Sequence, residues 1–294
     1  MKSKGTMNMR TGLLIDPIDT SLSYDENLKK ASDMGFSVLQ LWYKDIISQG
    51  WLKAGEFLRM LGDLGLELKS IAAYTDLLDP KKPWREIFEW MTKVISYAAE
   101  AEVKFVVTES GGYPGGLESW DELLSRLSQL IDYGKLHGVT ILIENGPGVL
   151  INNKELMIRL MKTLNSEYLG INFDPANLNL VPDDVIGAVK SLGSFIRDTH
   201  AKDSILFTSG STRRIPEEHV FVMPEGEDFI HLPKGVKWVL PPVGEGDVPF
   251  EEYISALKEV GFSGDLIIEY QGGGNREGAI IQSKNYLERI LMGK

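Results

Sequence analysis

Four side chains able to bind a metal ion follow short apolar or β-prone runs in the second half of the chain. They are Glu144, Asp174, His200 and Glu269. Three carboxylates at close quarters would repel one another unless a cation neutralised them, so the set predicts one divalent metal ion. Oxygen ligands with one nitrogen suit Mn²⁺, Mg²⁺, Co²⁺ or Zn²⁺. For any one of these residues alone, capping or ion pairing is an equally good interpretation.

The same donor set indicates a class of chemistry. A divalent cation bound to a carbonyl oxygen and the neighbouring hydroxyl withdraws charge from the carbon between them and stabilises the ene-diolate formed on proton removal. Carboxylates beside the cation can carry the proton. We therefore expect proton transfer next to a carbonyl group. Thiolate nucleophiles and thiolate ligands are excluded because the chain has no cysteine.

Repeated strand and helix segments must bring these side chains together. β-rich runs alternate about eight times with segments of helical period, which is typical of βα units around a parallel sheet. The carboxyl ends of the strands in a TIM barrel meet at one rim, so the four residues should line one sector of it. We predict a TIM (β/α)8 barrel that forms a single domain over residues 1–294.

The boundaries of these elements follow from the apolar runs and the helical period. The predicted strands are Thr11–Ile15, Val38–Trp42, Glu67–Ala73, Val103–Glu109, Thr140–Glu144, Leu169–Asp174, Phe195–His200 and Asp265–Tyr270. The predicted helices lie near residues 25–34, 52–64, 84–101, 118–136, 152–164, 182–191, 249–260 and 277–291. Glycines such as Gly138 and Gly261 follow several predicted helices, where a left-handed residue ends a helix.

One segment, about residues 204–247, interrupts the repeat after the seventh strand. It is rich in proline, glycine and charge, and a loop of this length in a compact domain is usually functional. We therefore expect a lid or a small subdomain on the catalytic side of the barrel. His219 and His231 lie in this segment, and each is interpreted as a lid residue near the site or as a solvated loop histidine.

Composition limits the partners. The net charge of -11 disfavours the basic surface that nucleic-acid binding needs. The apolar runs are too short for a membrane helix, and no signal-peptide pattern is evident. We expect a cytoplasmic protein that acts on a small molecule and binds neither nucleic acid nor membrane. Self-association into a homo-oligomer is left open.

Five segments carry a resemblance to a known family. They are Ile141-Leu142-Ile143-Glu144-Asn145, Ile171-Asn172-Phe173-Asp174-Pro175-Ala176-Asn177, Thr199-His200-Ala201-Lys202-Asp203, Val243-Gly244-Glu245-Gly246 and Ile267-Ile268-Glu269-Tyr270. In this order they resemble the xylose isomerase-like family of sugar phosphate isomerases and epimerases. The resemblance implies a carbohydrate substrate and a metal held by the four residues named above. It also implies that Glu144 and Glu269 act as acid and base on opposite faces of a ketose.

Other residues are candidates for substrate binding. Lys202 could steady an oxyanion or a phosphate, or could equally form a salt bridge to Asp203. Glu109, at the end of the fourth strand, could bind substrate hydroxyls or support Lys202. Trp42 and Trp238 could stack on a sugar ring, although aromatic side chains more often pack in a core.

Three positions depart from the ketose 3-epimerases that the chain resembles. Asn177 stands where many of them have histidine, Leu150 where they have glutamate and Leu206 where some have arginine. Asn177 remains a candidate substrate contact, but the substrate pocket should differ. A metal-dependent isomerase or epimerase is the first interpretation. A dehydratase of a cyclic polyol ketone such as an inosose and a non-catalytic sugar-binding barrel are the alternatives. The endonuclease IV branch is disfavoured because it needs many more histidines than this chain places at strand ends.

Overall fold

The computed structural model describes residues 9–112, 116–181, 183–207 and 237–293. Within these residues, eight parallel strands close into a barrel, so the predicted TIM barrel is confirmed. The barrel strands are β1 (Thr11–Ile15), β2 (Val38–Trp42), β3 (Glu67–Ala72), β4 (Phe105–Glu109), β5 (Thr140–Glu144), β6 (Leu169–Phe173), β7 (Ile196–Ala201) and β10 (Leu266–Ile268). The barrel closes where β10 pairs with β1 and β7. The single-domain organisation of residues 1–294 stays a prediction.

Helices connect the strands. In the described ranges they are α1 (Tyr24–Asp33), α2 (Tyr43–Ser48), α3 (Ala54–Asp63), α4 (Trp84–Glu100), α5 (Trp120–His137), α6 (Lys154–Leu164), α7 (Pro175–Leu180), α8 (Val185–Leu192), α9 (Phe250–Glu259) and α10 (Arg276–Leu291). None of them is long and apolar enough to cross a membrane. Eight match the predicted helices to within a few residues, whereas the sequence prediction omits the short α2 and α7.

The nearly continuous apolar character of strands such as β1 follows from their position. β1 and β6 are buried at every residue, because the barrel interior covers one face and the helices cover the other. Helix ends follow the expected glycine pattern. Gly138 and Gly261 have φ angles of 70° and 82°, and each begins the return from a helix to the next strand.

The insertion after β7 is described at its two ends. β8 (Ile205–Phe207) and β9 (Lys237–Val239) pair as an antiparallel hairpin outside the barrel. Residues 208–236 lie outside the described residues, and the predictions for His219 and His231 fall there. The expected lid or subdomain therefore stays a prediction beyond this hairpin.

Asp203 closes the base of the insertion. Its Oδ2 accepts hydrogen bonds from the backbone N–H groups of Gly244 and Gly246 at 2.9 and 2.8 Å. Its Oδ1 accepts from those of Ser204 and Val248 at 2.8 and 3.1 Å. A Cβ atom on Gly246 would lie 2.0 Å from Asp203 Oδ1, so this close approach requires glycine. One buried carboxylate thus ties both ends of the insertion together beside the barrel mouth.

Candidate functional site

The four predicted metal ligands meet at the carboxyl end of the barrel. Glu144 ends β5, Asp174 and Glu269 directly follow β6 and β10, and His200 lies in β7. These four strands are consecutive neighbours around the barrel. His200 Nδ1 lies 3.4 Å from Glu144 Oε2 and 3.3 Å from Glu269 Oε2. The same nitrogen lies 3.8 Å from Asp174 Oδ2, so all three carboxylates approach one ring atom.

The spacing and burial of these donors suit a metal ion. Ligand atoms ~2.1 Å from one ion are separated by roughly 3 to 4.2 Å. The four donors lie within 4.8 Å of one another, and all four residues are buried. Oδ2 of Asp174 has no hydrogen-bond donor among the described residues. A buried carboxylate oxygen without a donor is costly unless a cation satisfies it, so the residues present fit a divalent cation.

Local structure holds Asp174 in place. Its backbone N–H donates to Asn145 Oδ1 at 2.9 Å, and Asn145 Nδ2 donates to its carbonyl oxygen at 2.8 Å. Its Oδ1 accepts from the backbone N–H of Asn177 at 2.9 Å, which caps α7. Pro175 occupies the first turn of this helix, where the missing N–H costs nothing. Asp174 is therefore both a helix cap, through Oδ1, and a candidate ligand, through Oδ2.

Neutral donors surround Glu144. Asn172 Nδ2 donates to its Oε2 at 2.9 Å, and Asn177 Nδ2 donates to its Oε1 at 3.1 Å. The hydroxyl of Tyr74 also donates to Oε2. Burial, together with the charges of Glu144 and Glu269, raises the pKa of Tyr74 well above its usual value, so it stays a neutral donor. Sequence reasoning missed Tyr74, although it directly follows a predicted strand end.

A buried cation lies against Glu269. Lys202 Nζ donates to Glu269 Oε2 at 3.0 Å and lies 3.6 Å from Asp174 Oδ2. Gln271 Nε2 donates to Glu269 Oε1 at 2.8 Å. Burial alone would raise the pKa of Glu269, but the positive charges of Lys202 and His200 outweigh burial and lower it to about 2. The alternative in which Lys202 pairs with Asp203 is wrong, because that carboxylate is engaged by backbone amides.

The imidazole of His200 is fully buried among charges. Burial alone would lower its pKa, but Glu144 and Glu269 outweigh burial and raise the pKa well above its usual value. Nδ1 faces the carboxylates, and Nε2 lies 2.9 Å from Gln40 Oε1 on the other side of the ring. Only Nδ1 is therefore directed at the cluster.

Comparison with known families decides the assignment of the fold family. A family profile described as xylose isomerase-like TIM barrel matches residues 28–290. The chain belongs to the xylose isomerase-like TIM barrel family. The resemblance found in the sequence motifs is thereby confirmed.

One curated relative and several solved structures are similar to this member of the family. An uncharacterized protein of Methanocaldococcus jannaschii is 27% identical over 194 residues, which cover 62% of this chain and 55% of that protein. The chain thus spans about half the length of this relative. The probable 3-DHS dehydratase AsbF of Bacillus anthracis superposes with a TM-score of 0.75 at 19% identity, covering 95% of this chain and 99% of that one.

Two further solved structures share the xylose isomerase-like barrel. D-psicose 3-epimerase of Clostridium cellulolyticum H10, solved with D-tagatose, gives a TM-score of 0.73 at 14% identity over 96% of this chain and 99% of that one. The IOLI protein with a binding zinc atom gives 0.72 at 18% identity over 97% and 98%. At these identities the likeness shows the fold alone.

Glu109 and Trp42, two of the predicted substrate-binding residues, lie near the cluster of candidate ligands. Glu109 pairs in register with Glu144 across β4 and β5, and burial, with the charges of Glu144 and Asp76, raises its pKa to about 7. Trp42 ends β2 and packs on Tyr74 with ring centroids 4.9 Å apart. Its Nε1 is buried and has no hydrogen-bond partner among the described residues. Trp42 therefore keeps a free donor beside the cluster.

Asn177 and Trp238 contact Lys202. Asn177 Nδ2 donates to Glu144, and Asn177 Oδ1 lies 3.4 Å from Lys202 Nζ. The Asn177 amide therefore bridges the two charged side chains. Lys202 Nζ also lies 5.5 Å from the centre of the Trp238 ring on β9. Leu150 and Leu206, the two leucines at positions that differ from the ketose 3-epimerases, lie in different places. Leu150 is buried, and Leu206 lies in β8.

Proposed function

We propose that this family member is a metal-dependent isomerase or epimerase. It would transfer a proton at the carbon beside the carbonyl group of a sugar, a sugar phosphate or a related hydroxy-carbonyl compound. The observation that carries the proposal is a buried cluster of three carboxylates and one imidazole, in which Oδ2 of Asp174 accepts no hydrogen bond from the described residues. Glu144, Asp174, His200 and Glu269 would hold one divalent cation. When bound, this cation would supply Lewis acidity that stabilises negative charge on the substrate oxygens.

Glu144 and Glu269 are the proposed proton-transfer residues. β6 and β7 separate β5 from β10 around the barrel, so the two carboxylates flank Asp174 and His200 from opposite sides. With one of the two groups ionised and the other carrying a proton, a substrate carbon held between them would lose its proton to the carboxylate and receive one from the carboxylic acid on the opposite side, which inverts the carbon. Delivery to the neighbouring carbon would instead give an isomerase.

The residues next to these glutamates would prepare them for proton transfer. Lys202 keeps Glu269 ionised through a 3.0 Å hydrogen bond, and its ammonium group could also steady an oxyanion or a phosphate. Asn177 and Asn172 orient the carboxylate of Glu144. Trp42 Nε1 and Glu109 are proposed contacts to substrate hydroxyls. With a pKa of about 7, Glu109 is partly protonated at neutral pH and can then donate a hydrogen bond.

Related structures support a carbohydrate substrate and a metal. The D-psicose 3-epimerase was solved with D-tagatose, and the IOLI protein was solved with a bound zinc atom. Both share the barrel over nearly the whole chain. The sugar in one structure and the zinc atom in the other are the two components that we propose for the site of this chain.

A dehydratase is the second candidate. Loss of a hydroxyl next to the ene-diolate would need a proton at the leaving oxygen, and the carboxyl group that took the substrate proton could return it there while the buried ammonium of Lys202 donates a hydrogen bond. The similarity to the probable 3-DHS dehydratase points in the same direction. A cyclic polyol ketone such as an inosose is the substrate class that this reaction would take.

Hydrogen exchange in D₂O tests the proposal and separates the two reactions. Protein loaded with Mn²⁺ would be incubated with ketoses, sugar phosphates and inososes, and the products would be analysed by NMR and mass spectrometry. An isomerase or epimerase would incorporate deuterium next to the carbonyl group, and its product would differ in mass from the substrate only by that deuterium. Loss of water indicates the dehydratase. Absence of exchange and of elimination with every compound, although Mn²⁺ is bound, would favour a non-catalytic sugar-binding barrel.

A further inference from the structure

A buried chain of hydrogen bonds leads away from the side of His200 that faces the barrel interior. His200 Nε2 lies 2.9 Å from Gln40 Oε1, and Gln40 Nε2 donates to Ser70 Oγ at 2.8 Å. Ser70 Oγ donates in turn to Asp198 Oδ2 at 2.8 Å. All four residues are 0% exposed. The chain crosses the barrel from β7 to β2 and β3 and returns to β7, and neither ligation nor proton transfer accounts for it.

The direction of each hydrogen bond follows from the carboxylate at the far end. An ionised carboxylate only accepts, so the Ser70 hydroxyl donates to Asp198 and accepts from the Gln40 amide. The amide nitrogen of Gln40 therefore points to Ser70, and its oxygen points to His200. Because this oxygen can only accept, the hydrogen must lie on Nε2 of His200. In the neutral ring that binds a metal ion, the lone pair then lies on Nδ1, the ring atom that faces the carboxylates.

Asn172 also lies near the ring, but it does not set the tautomer. Its Nδ2 is 3.5 Å from Nδ1 and 3.3 Å from Nε2 of His200. An atom nearly equidistant from both ring nitrogens cannot lie along the lone pair of either. The same Nδ2 donates to Glu144 Oε2 at the shorter distance of 2.9 Å. The contact to Gln40 is therefore the directional one.

We propose that Gln40, Ser70 and Asp198 are positioning residues that hold His200 with its hydrogen on Nε2 and so present Nδ1 to the metal ion. The inference deepens the proposed function and rests on the metal site described there. Groups that hydrogen-bond the second nitrogen of a metal-binding histidine fix its tautomer, and their loss typically weakens metal binding by about 10 to 100-fold.

Asp198→Asn is the most selective test because it keeps the shape of the side chain. The amide oxygen can still accept from the backbone N–H of Thr199, which donates to Asp198 Oδ1 at 3.1 Å in the wild type. The amide nitrogen then faces Ser70 and can donate, so every hydrogen bond of the chain can reverse. Reversal moves the hydrogen of His200 to Nδ1 and blocks the proposed ligand atom.

The affinity for Zn²⁺ alone, measured by competition with a chelating dye, is the first readout. Asp198→Asn and Gln40→Leu should weaken binding by about 10 to 100-fold, and Ser70→Ala should weaken it in the same direction. Thr108→Val is the matched control, because Thr108 is also a buried hydroxyl in a barrel strand, and its Oγ1 donates to the carbonyl oxygen of Ala73. The second readout is long-range ¹H–¹⁵N NMR of the Zn²⁺-loaded wild type, which should show the His200 hydrogen on Nε2.

The outcomes separate this inference from the proposed metal site. If the wild type does not bind Zn²⁺, the metal site itself is contradicted. If the wild type binds but Asp198→Asn and Ser70→Ala bind as tightly as Thr108→Val, the positioning role is wrong. A hydrogen on Nδ1 in the loaded wild type would also overturn it. Melting curves of the metal-free variants show whether each one folds. If Gln40→Leu does not fold, the comparison of Asp198→Asn and Ser70→Ala with Thr108→Val still decides the question.

Discussion

Lys202 Nζ donates a 3.0 Å hydrogen bond to Oε2 of Glu269, so one of the four candidate ligands has a permanent buried counterion. Positive charge at this place opposes metal binding by direct repulsion. The same charge also prevents protonation of Glu269, whose pKa falls to about 2. Lys202 thus lowers the affinity for the metal ion but keeps the Glu269 carboxylate ionised in acid.

Lys202→Met should make metal binding more sensitive to acid. Without the ammonium group, burial dominates and raises the pKa of Glu269, since an adjacent opposite charge typically lowers a carboxyl pKa by about 1 to 3 units. Glu269 would then take up a proton as the pH falls towards 5, and that proton competes with the metal. The ratio of Mn²⁺ dissociation constants at pH 4 and pH 8 should increase by up to about tenfold in the variant. Lys190→Met, which changes an exposed lysine, is the control. If Lys202→Met gives the same ratio of dissociation constants as this control and the wild type, Lys202 does not set the pKa of Glu269.

Glu109→Gln should stabilise the metal-free protein at pH 8 but not at pH 4. The pKa of Glu109 is raised to about 7 in the folded state, so ionisation above the usual pKa costs folding free energy that grows until the pH passes 7. The amide removes this cost, and we expect a gain of roughly 1 to 3 kcal/mol at pH 8. Urea denaturation at the two pH values measures it. Glu167→Gln, on the exposed surface, serves as the control, and an equal gain at both pH values would contradict the assigned burial effect.

Glu144→Gln and Glu269→Gln should each abolish proton exchange. Either change removes a ligand charge and a group that carries the proton, so we expect losses of at least about 10³-fold. The rate of deuterium incorporation into an accepted substrate is the measurement. Glu167→Gln should retain the wild-type rate. Full turnover in either active-site variant would refute its assigned role.

Much of the barrel is predictable from sequence because most strands are nearly continuous apolar runs, as in β5 and β10. Polar residues that end such runs, including Glu144 and Glu269, mark the rim for the same reason. The short α7 is harder to predict, since its six residues hold only one helical turn and a half, and its start depends on the cap at Asp174. The β8 and β9 hairpin has three residues in each strand, too few for a periodic pattern.

The polar chain behind His200 shows what strand patterns leave out. Gln40 interrupts an apolar run in β2, and Ser70 follows a lysine in β3. In a sequence, a single polar residue in the middle of a strand does not reveal whether it faces the barrel interior or the helices. Gln40 and Ser70 are register partners on the neighbouring strands β2 and β3, but only the closed barrel brings Asp198 on β7 into line with them. The polar interruption of a buried run is nevertheless a signal that could have identified Gln40.

Titration of the chelator-treated protein with Mn²⁺ tests the central claim most directly. We predict one saturable site per chain, a binding affinity at least about 100-fold weaker in Asp174→Asn, and no change in Asp132→Asn, which alters an exposed aspartate. At a free Mn²⁺ concentration of about 100 times the dissociation constant, bound metal should stabilise the fold by about 2.7 kcal/mol and raise Tm by about 5 °C. Absence of saturable binding, or equal binding by Asp174→Asn and the wild type, would contradict the metal site on which the proposed function depends.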